Sequence, residues 1–160
     1  MALTQSFAIA PLNGLVSVPI WHGYEGAGTQ AWHEGEVLVA SSGTLVVGTA
    51  DPTAETIVGL SLEHAAGTTS ADVAYIPALP NLIFEGCLQN AAGTATIALA
   101  THMYAEFGIN VTSKVWWIDT DETTHKDVVI VGFKDAIGTL NGVVYFQFKP
   151  GATIFDQAVT

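Results

Sequence analysis

Few side chains in this sequence stand at spacings that support chemistry. His22, His33, Glu34 and Glu36 offer imidazole and carboxylate donors of the kind that hold zinc, but their spacing matches neither a helical H-E-x-x-H pair nor a Cys/His ribbon. Asp119, Asp121 and Thr123 occupy alternate positions, as in the first half of a calcium loop. The second half departs from it, because Thr124 and Ile130 stand where an EF-hand needs glycine and glutamate. The segment therefore reads as a polar hairpin tip between residues 115–118 and 128–131. A hydrolase built on Asp119, Asp121 and His125 is the enzymatic alternative. Cys87 sits between apolar neighbours and beside Glu85, whereas a reactive thiol needs an electropositive setting. His102 and Glu106 lie four apart on a predicted helix, a spacing common on solvated faces. A nucleophile elbow and a phosphate-binding glycine loop with lysine are both missing from the sequence. The expectation is a protein with no catalytic residue, no cofactor and no metal.

The background in which these residues sit is acidic and apolar. The chain has 160 residues, 15 acidic side chains, 4 lysines and no arginine, for a net charge of −11. Phosphate recognition requires lysine and arginine, so nucleic acid is excluded as a partner, and an anionic membrane surface is excluded for the same reason. Charged residues are only 12% of the chain and hydrophobic ones 49%, the reverse of the disorder signature. No apolar run approaches the roughly 18 residues that a membrane-spanning helix needs. Residues 1–24 carry no charge at all, hence no basic leader region, and read as mature protein. A lone cysteine cannot form an internal disulfide, so stability must come from packing or from association.

The elements that would position any site are mainly strands. Residues 35–40 and 44–49 flank Ser41-Ser42-Gly43 and predict a hairpin. Residues 57–63, 73–76, 82–88, 115–119, 128–133 and 143–149 predict further strands, the last entered through Asn141-Gly142. Residues 97–107 carry apolar side chains at positions 97, 100, 103, 104 and 107, with Gly108 beyond, and predict one helix of about three turns. No fixed-period repeat is visible. The expected fold is mainly β: a small antiparallel β-barrel or sandwich with one short α-helix and extended termini. Residues 1–20 form an extended N-terminal arm and residues 21–160 a single β-rich domain.

Surface chemistry is what remains. Trp116 and Trp117 must face opposite ways if their segment is a strand. The arm, with Phe7, Ile9, Leu12, Leu15, Val18 and Ile20, is apolar, uncharged and broken by prolines, and it predicts docking on a partner. Residues 152–155 repeat the pattern on a smaller scale. The expected capsid or subunit contacts are Phe7, Ile9, Leu12, Val18, Trp21, Ile154 and Phe155. Because residues 1–113 hold no lysine, the cations that their acids meet must come from the last third of the chain or from another protein.

The order of the strand motifs resembles a known group. Trp32-His-Glu-Gly-Glu-Val-Leu-Val39, the Ser41-Ser-Gly turn, Ile57-Val-Gly-Leu-Ser-Leu-Glu63, Asp72-Val-Ala-Tyr-Ile-Pro77 and Phe84-Glu-Gly86 resemble the capsid decoration (cement) proteins of tailed bacteriophages. Trp116-Trp-Ile-Asp119, Val129-Ile-Val-Gly-Phe-Lys-Asp135 and Gly142-Val-Val-Tyr-Phe146 are similar to the larger members. The resemblance implies a structural virion protein on the outer surface of the capsid. It would be a homotrimer, made in the host cytoplasm, that binds the major capsid protein and stabilises contacts between its subunits. The alternative from the binding class is a carbohydrate-binding module of a head fibre or tail, with Trp21 or Trp32 stacked on a sugar ring.

Overall fold

Two-residue turns set the hairpins. In the computed structural model, which describes residues 7–10, 18–52, 56–122 and 124–156, strands β3 (Val37–Ser41) and β4 (Thr44–Val47) are joined by Ser42 and Gly43, with φ of +49° and +81°. Two successive positive φ values give the turn whose twist matches that of paired strands. Ser41 belongs to the strand, so the loop is one residue shorter than the sequence suggests. The same geometry recurs between β8 (Glu106–Thr112) and β9 (Val115–Asp119), where Ser113 and Lys114 have φ of +51° and +68°.

The second hairpin corrects the helix expected over residues 97–107. Only one turn forms, α1 (Leu99–His102), after which Met103 is extended and Tyr104 is left-handed at φ +60°. Phe107, Ile109 and Val111 then follow the two-residue period, and β8 pairs with β9 from Gly108 to Thr112. A ladder of backbone bonds and a buried face outweigh a weak local helical period. Gly108 is no helix cap: a Cβ there would stand 2.6 Å from the His125 carbonyl oxygen, so the 120–127 loop crosses directly over it. That loop is not a hairpin tip either, because β8 lies between β9 and the strand that follows.

The remaining strands are β1 (Ala8–Ile9), β2 (Trp21–Tyr24), β5 (Ile57–Ser61), β6 (Asp72–Pro77), β7 (Phe84–Gln89), β10 (Val128–Phe133) and β11 (Val143–Phe148). Their order exposes a doubling. One sheet runs β2-β6-β5-β3-β4 and the other β7-β11-β10-β8-β9, the same permutation of five consecutive strands. In each set the first and third strands meet in parallel and close the ring: Leu88 and Gln89 pair with Ile118 and Asp119, while Glu25 bridges Leu45. The chain therefore folds as two five-stranded barrels of one topology. Their equivalence reaches the residue level, since Trp21↔Tyr75 and Gly23↔Val73 in the first match Phe84↔Phe146 and Gly86↔Val144 in the second.

The two barrels differ in filling. The second encloses Phe84, Phe107, Ile109, Trp116, Ile118, Phe146 and Phe148, and the outer face of the first, through Val37, Leu60 and Ile76, joins the same cluster. The first barrel holds a smaller cluster of Trp32, Leu38, Leu45, Val58, Val73 and Tyr75. Trp116 and Trp117 do face opposite ways, and both are buried. Where β7 parts from β9 in the second barrel, β1 fills the gap, with Ala8 opposite Glu85 and Ile9 opposite Phe84. Phe7 lies over Gly86, 4.8 Å from the Phe146 ring centroid, and is only 3% exposed.

Phe7, expected at a partner contact, is buried by the chain's own barrel. Phe7→Ala should lower the unfolding free energy by about 3–4 kcal/mol, the cost of removing a buried aromatic ring. Ile20→Ala, at an exposed position of the same arm, should change it by less than about 0.5 kcal/mol. Urea unfolding curves of the two variants measure the contrast.

Candidate interaction surface

Strand β2 offers the apolar surface that the chain does not use internally. It borders one side of its sheet up to the Glu25 bridge, and Trp21 is 41% and Tyr24 59% exposed, with Ile20 exposed just before them. The Trp21 ring meets Phe155 edge-on at 5.2 Å and Tyr75 at 6.5 Å, which fixes its orientation at the rim of the first barrel. His22 Nδ1 lies 3.0 Å from Asp72 Oδ2 across the β2–β6 pair, so the exposed acid beside the patch has a partner.

A buried carboxylate anchors the end of this strand. Glu25 is fully buried, and its two oxygens accept the Gly67 and Thr68 amides at 3.1 and 3.0 Å. The Glu25 amide donates to the Ala71 carbonyl, and its own carbonyl accepts from Ser70. Rigid support of this kind lets an exposed aromatic pair present a constant shape.

The other residues expected at contacts are distributed differently. Ile9 is half-buried on β7 and Val18 packs against the large core. Ile154 and Phe155 pack against the small cluster, and Leu12 lies outside the described residues. Sequence reasoning missed Tyr24, and it placed Tyr104 on the inner face of a helix, whereas Tyr104 is 75% exposed. Leu99, Ile137 and Leu140 are also exposed, on loops joined by bonds between Ile97 and Thr139 and between Gly138 and Ile97. No apolar alternation marks Trp21-His-Gly-Tyr24, whose two aromatics stand on opposite faces of the strand.

The last third of the chain does supply cations to the first part. Lys134 pairs with Glu85 at 2.8 Å and Lys149 with Glu106 at 2.7 Å, so Glu106 belongs to a strand pair and has no helical partner in His102. Lys114 donates to the Ala31 carbonyl and lies 3.0 Å from His33 Nε2. Buried Glu36 uses no lysine: its carboxylate accepts the His33 amide at 2.8 Å. His22 and His33 thus serve separate local contacts.

The residues considered for catalysis are held by turns. Asp119 accepts from Asn110 Nδ2 and the Asp121 amide, Asp121 accepts the Ala91 amide, and Glu122 accepts the His125 amide. Among the described residues no three His, Cys, Asp or Glu side chains group as metal ligands. Burial, with Asp135 and Glu85 nearby, pushes the Cys87 thiol up, against a smaller opposing effect of Lys134. Burial lowers His102, whose Nδ1 accepts the Ala98 amide.

Asp127 is the most perturbed of these groups. It is 3% exposed, Oδ2 has no hydrogen-bond partner, and burial followed by the Asp51 charge pushes it up to about 6, against His125 and the Ile109 amide. A raised carboxyl contributes stability that is complete below its ordinary range near 3.8 and is lost as pH rises through about 6. Asp127→Asn keeps the shape and removes the buried charge. It should raise stability at pH 7 by roughly 2–3 kcal/mol and leave it nearly unchanged at pH 4. Thermal melts of both proteins across that range check the sign.

No family model matches this chain, and no curated protein matches it significantly.

Proposed function

We propose that this protein is a structural virion component that binds the outer surface of a tailed-phage capsid and stabilises contacts between major capsid subunits. The observation that carries the reading is the exposed aromatic edge of β2, Ile20, Trp21 and Tyr24, on a framework of two strand-paired sheets. Exposed aromatic side chains of this kind are enriched at protein contacts. The motifs that resemble decoration proteins support it, because Val37–Ser41, Ile57–Ser61, Asp72–Pro77 and Phe84–Gln89 are all strands of the two barrels. The net charge of −11 favours solubility and disfavours adhesion to acidic surfaces. In this reading the protein adds to assembled heads as a homotrimer and needs no cofactor.

Removing residues 1–20 is not a clean test, since it also removes Phe7 from the core. Point variants at the exposed edge separate contact from folding. The wild-type protein should co-sediment with expanded, undecorated heads. Trp21→Ala and Tyr24→Ala should each keep the wild-type melting temperature within a few degrees and weaken that binding about tenfold or more, as central aromatic contacts do. Undiminished binding by both variants would discard this face. Saturable quenching of tryptophan fluorescence by saccharides, without binding to heads, would favour the carbohydrate-binding alternative. Light scattering of the free protein tests the trimer.

A further inference from the structure

The doubled topology supplies a template for what the β2 edge accepts. In the second barrel, β1 lies along β7 and places Phe7, Ala8 and Ile9 against Phe84-Glu85-Gly86. The equivalent segment of the first barrel is Trp21-His22-Gly23, and among the described residues no strand lies along it. The hydrogen-bonding parity agrees. Glu25 donates to Ala71, so the alternation of an antiparallel ladder turns the backbone groups of Trp21 and Gly23 towards β6 and those of His22, with the Tyr24 amide, to the open side, while the Tyr24 carbonyl faces Leu45 at the Glu25 bridge. Leu88 donates to Gly142 at the matching position, which leaves Glu85 to pair with Ala8.

We propose that the open edge of β2 is a strand-acceptor site: an extended, uncharged apolar segment of another protein adds antiparallel to Trp21–Tyr24, as β1 adds to β7. Main-chain bonds would give the affinity and alternate side chains the specificity. Three observations define the occupant. The chain's own Phe7–Ile9 segment is engaged at β7, and so is that of every further copy, which favours a strand from a different protein. An acidic strand would be repelled by a body of charge −11, whereas the segment that already fills one such gap comes from the uncharged residues 1–24. Size is restricted as well. A Cβ on Gly23 would stand 2.6 Å from Leu45 Cδ1, so Leu45 occupies the space over this glycine that Phe7 occupies over Gly86. The residue opposite Gly23 is therefore small, and the one opposite Trp21 is aliphatic, as Ile9 is opposite Phe84.

The acceptor site stands on the fold alone, while its occupant's identity as a capsid subunit rests on the decoration reading. The probe is a synthetic peptide of residues 6–11 with Phe7 replaced by alanine, added to isotope-labelled full-length protein. Saturable shifts at the His22 and Tyr24 amides are expected, with about tenfold slower hydrogen exchange there, and weaker binding by the peptide that retains phenylalanine. No change at those amides with millimolar peptide would overturn the proposal, as would protection confined to Glu85 with displacement of β1. Protection of His22 and Tyr24 in the free protein would also overturn it, by showing the edge already filled by the chain's own residues in a monomer or by a second copy in an oligomer. His22→Pro removes a donor from the open side only and should abolish peptide and head binding together. A folded His22→Pro protein that still binds heads would sink the acceptor site and leave decoration standing. Peptide binding by a wild-type protein that ignores heads would support the acceptor site and discard decoration.

Discussion

Five strands cannot close into a ring with every neighbour antiparallel, because alternating directions require an even number. One pair must run parallel, and that pair is the seam on which both barrels of this protein depend. At the seam the first and third strands meet only near their ends, through Leu88 and Gln89 with Ile118 and Asp119 in one barrel and through Glu25 with Leu45 in the other. Beyond the contact the strands diverge and leave backbone groups and an opening to the interior. The second barrel answers with β1 and Phe7. In the first, Leu45 covers Gly23 and Phe155 meets Trp21, yet among the described residues no strand pairs with the edge beside His22. The two copies of one topology therefore differ in how the seam is covered.

Satisfaction of buried charge follows the same economy. Backbone amides hold Glu25 and Glu36, and Lys134 and Lys149, each just past a strand end, reach Glu85 and Glu106 over an intervening strand. Amide-bound carboxylates tie loops to strand ends, so the acidic composition contributes to rigidity as well as to solubility. Asp127 is the exception: its free oxygen is buried and feels the Asp51 charge, and the second barrel is loaded against neutral pH at that point. His102 opposes it, since its buried neutral ring favours the folded chain as pH rises above the ordinary imidazole range.

In the proposed role, a framework held by backbone ladders would present a fixed surface. The exposed aromatic groups at β2 project from a strand whose far end is pinned by Glu25, so binding there requires little ordering of the protein itself. Strand edges left open are ordinarily an aggregation hazard. Here the open stretch is short, bounded by the Glu25 bridge, and flanked by the exposed His22 and Asp72 pair.

The sequence by itself determined the β class, the approximate positions of β3 to β7 and of β9 to β11, and the β3–β4 hairpin, because side-chain alternation and turn residues act over a few neighbours. It also determined the opposed faces of Trp116 and Trp117, which follow from strand geometry alone. Only the tertiary structure decided that residues 106–112 form a strand, since the ladder with β9 that outweighs the helical period is built across a turn of left-handed residues. Only the tertiary structure revealed the doubling: equivalent positions share a role in the ring and not a side chain, and Trp21-His22-Gly23 against Phe84-Glu85-Gly86 is the faint trace left in the sequence. The fate of the arm was decided in the same way. Phe7 and Ile20 are alike as apolar residues of an uncharged segment, and whether each is core or surface depends on whether a seam opens beside it.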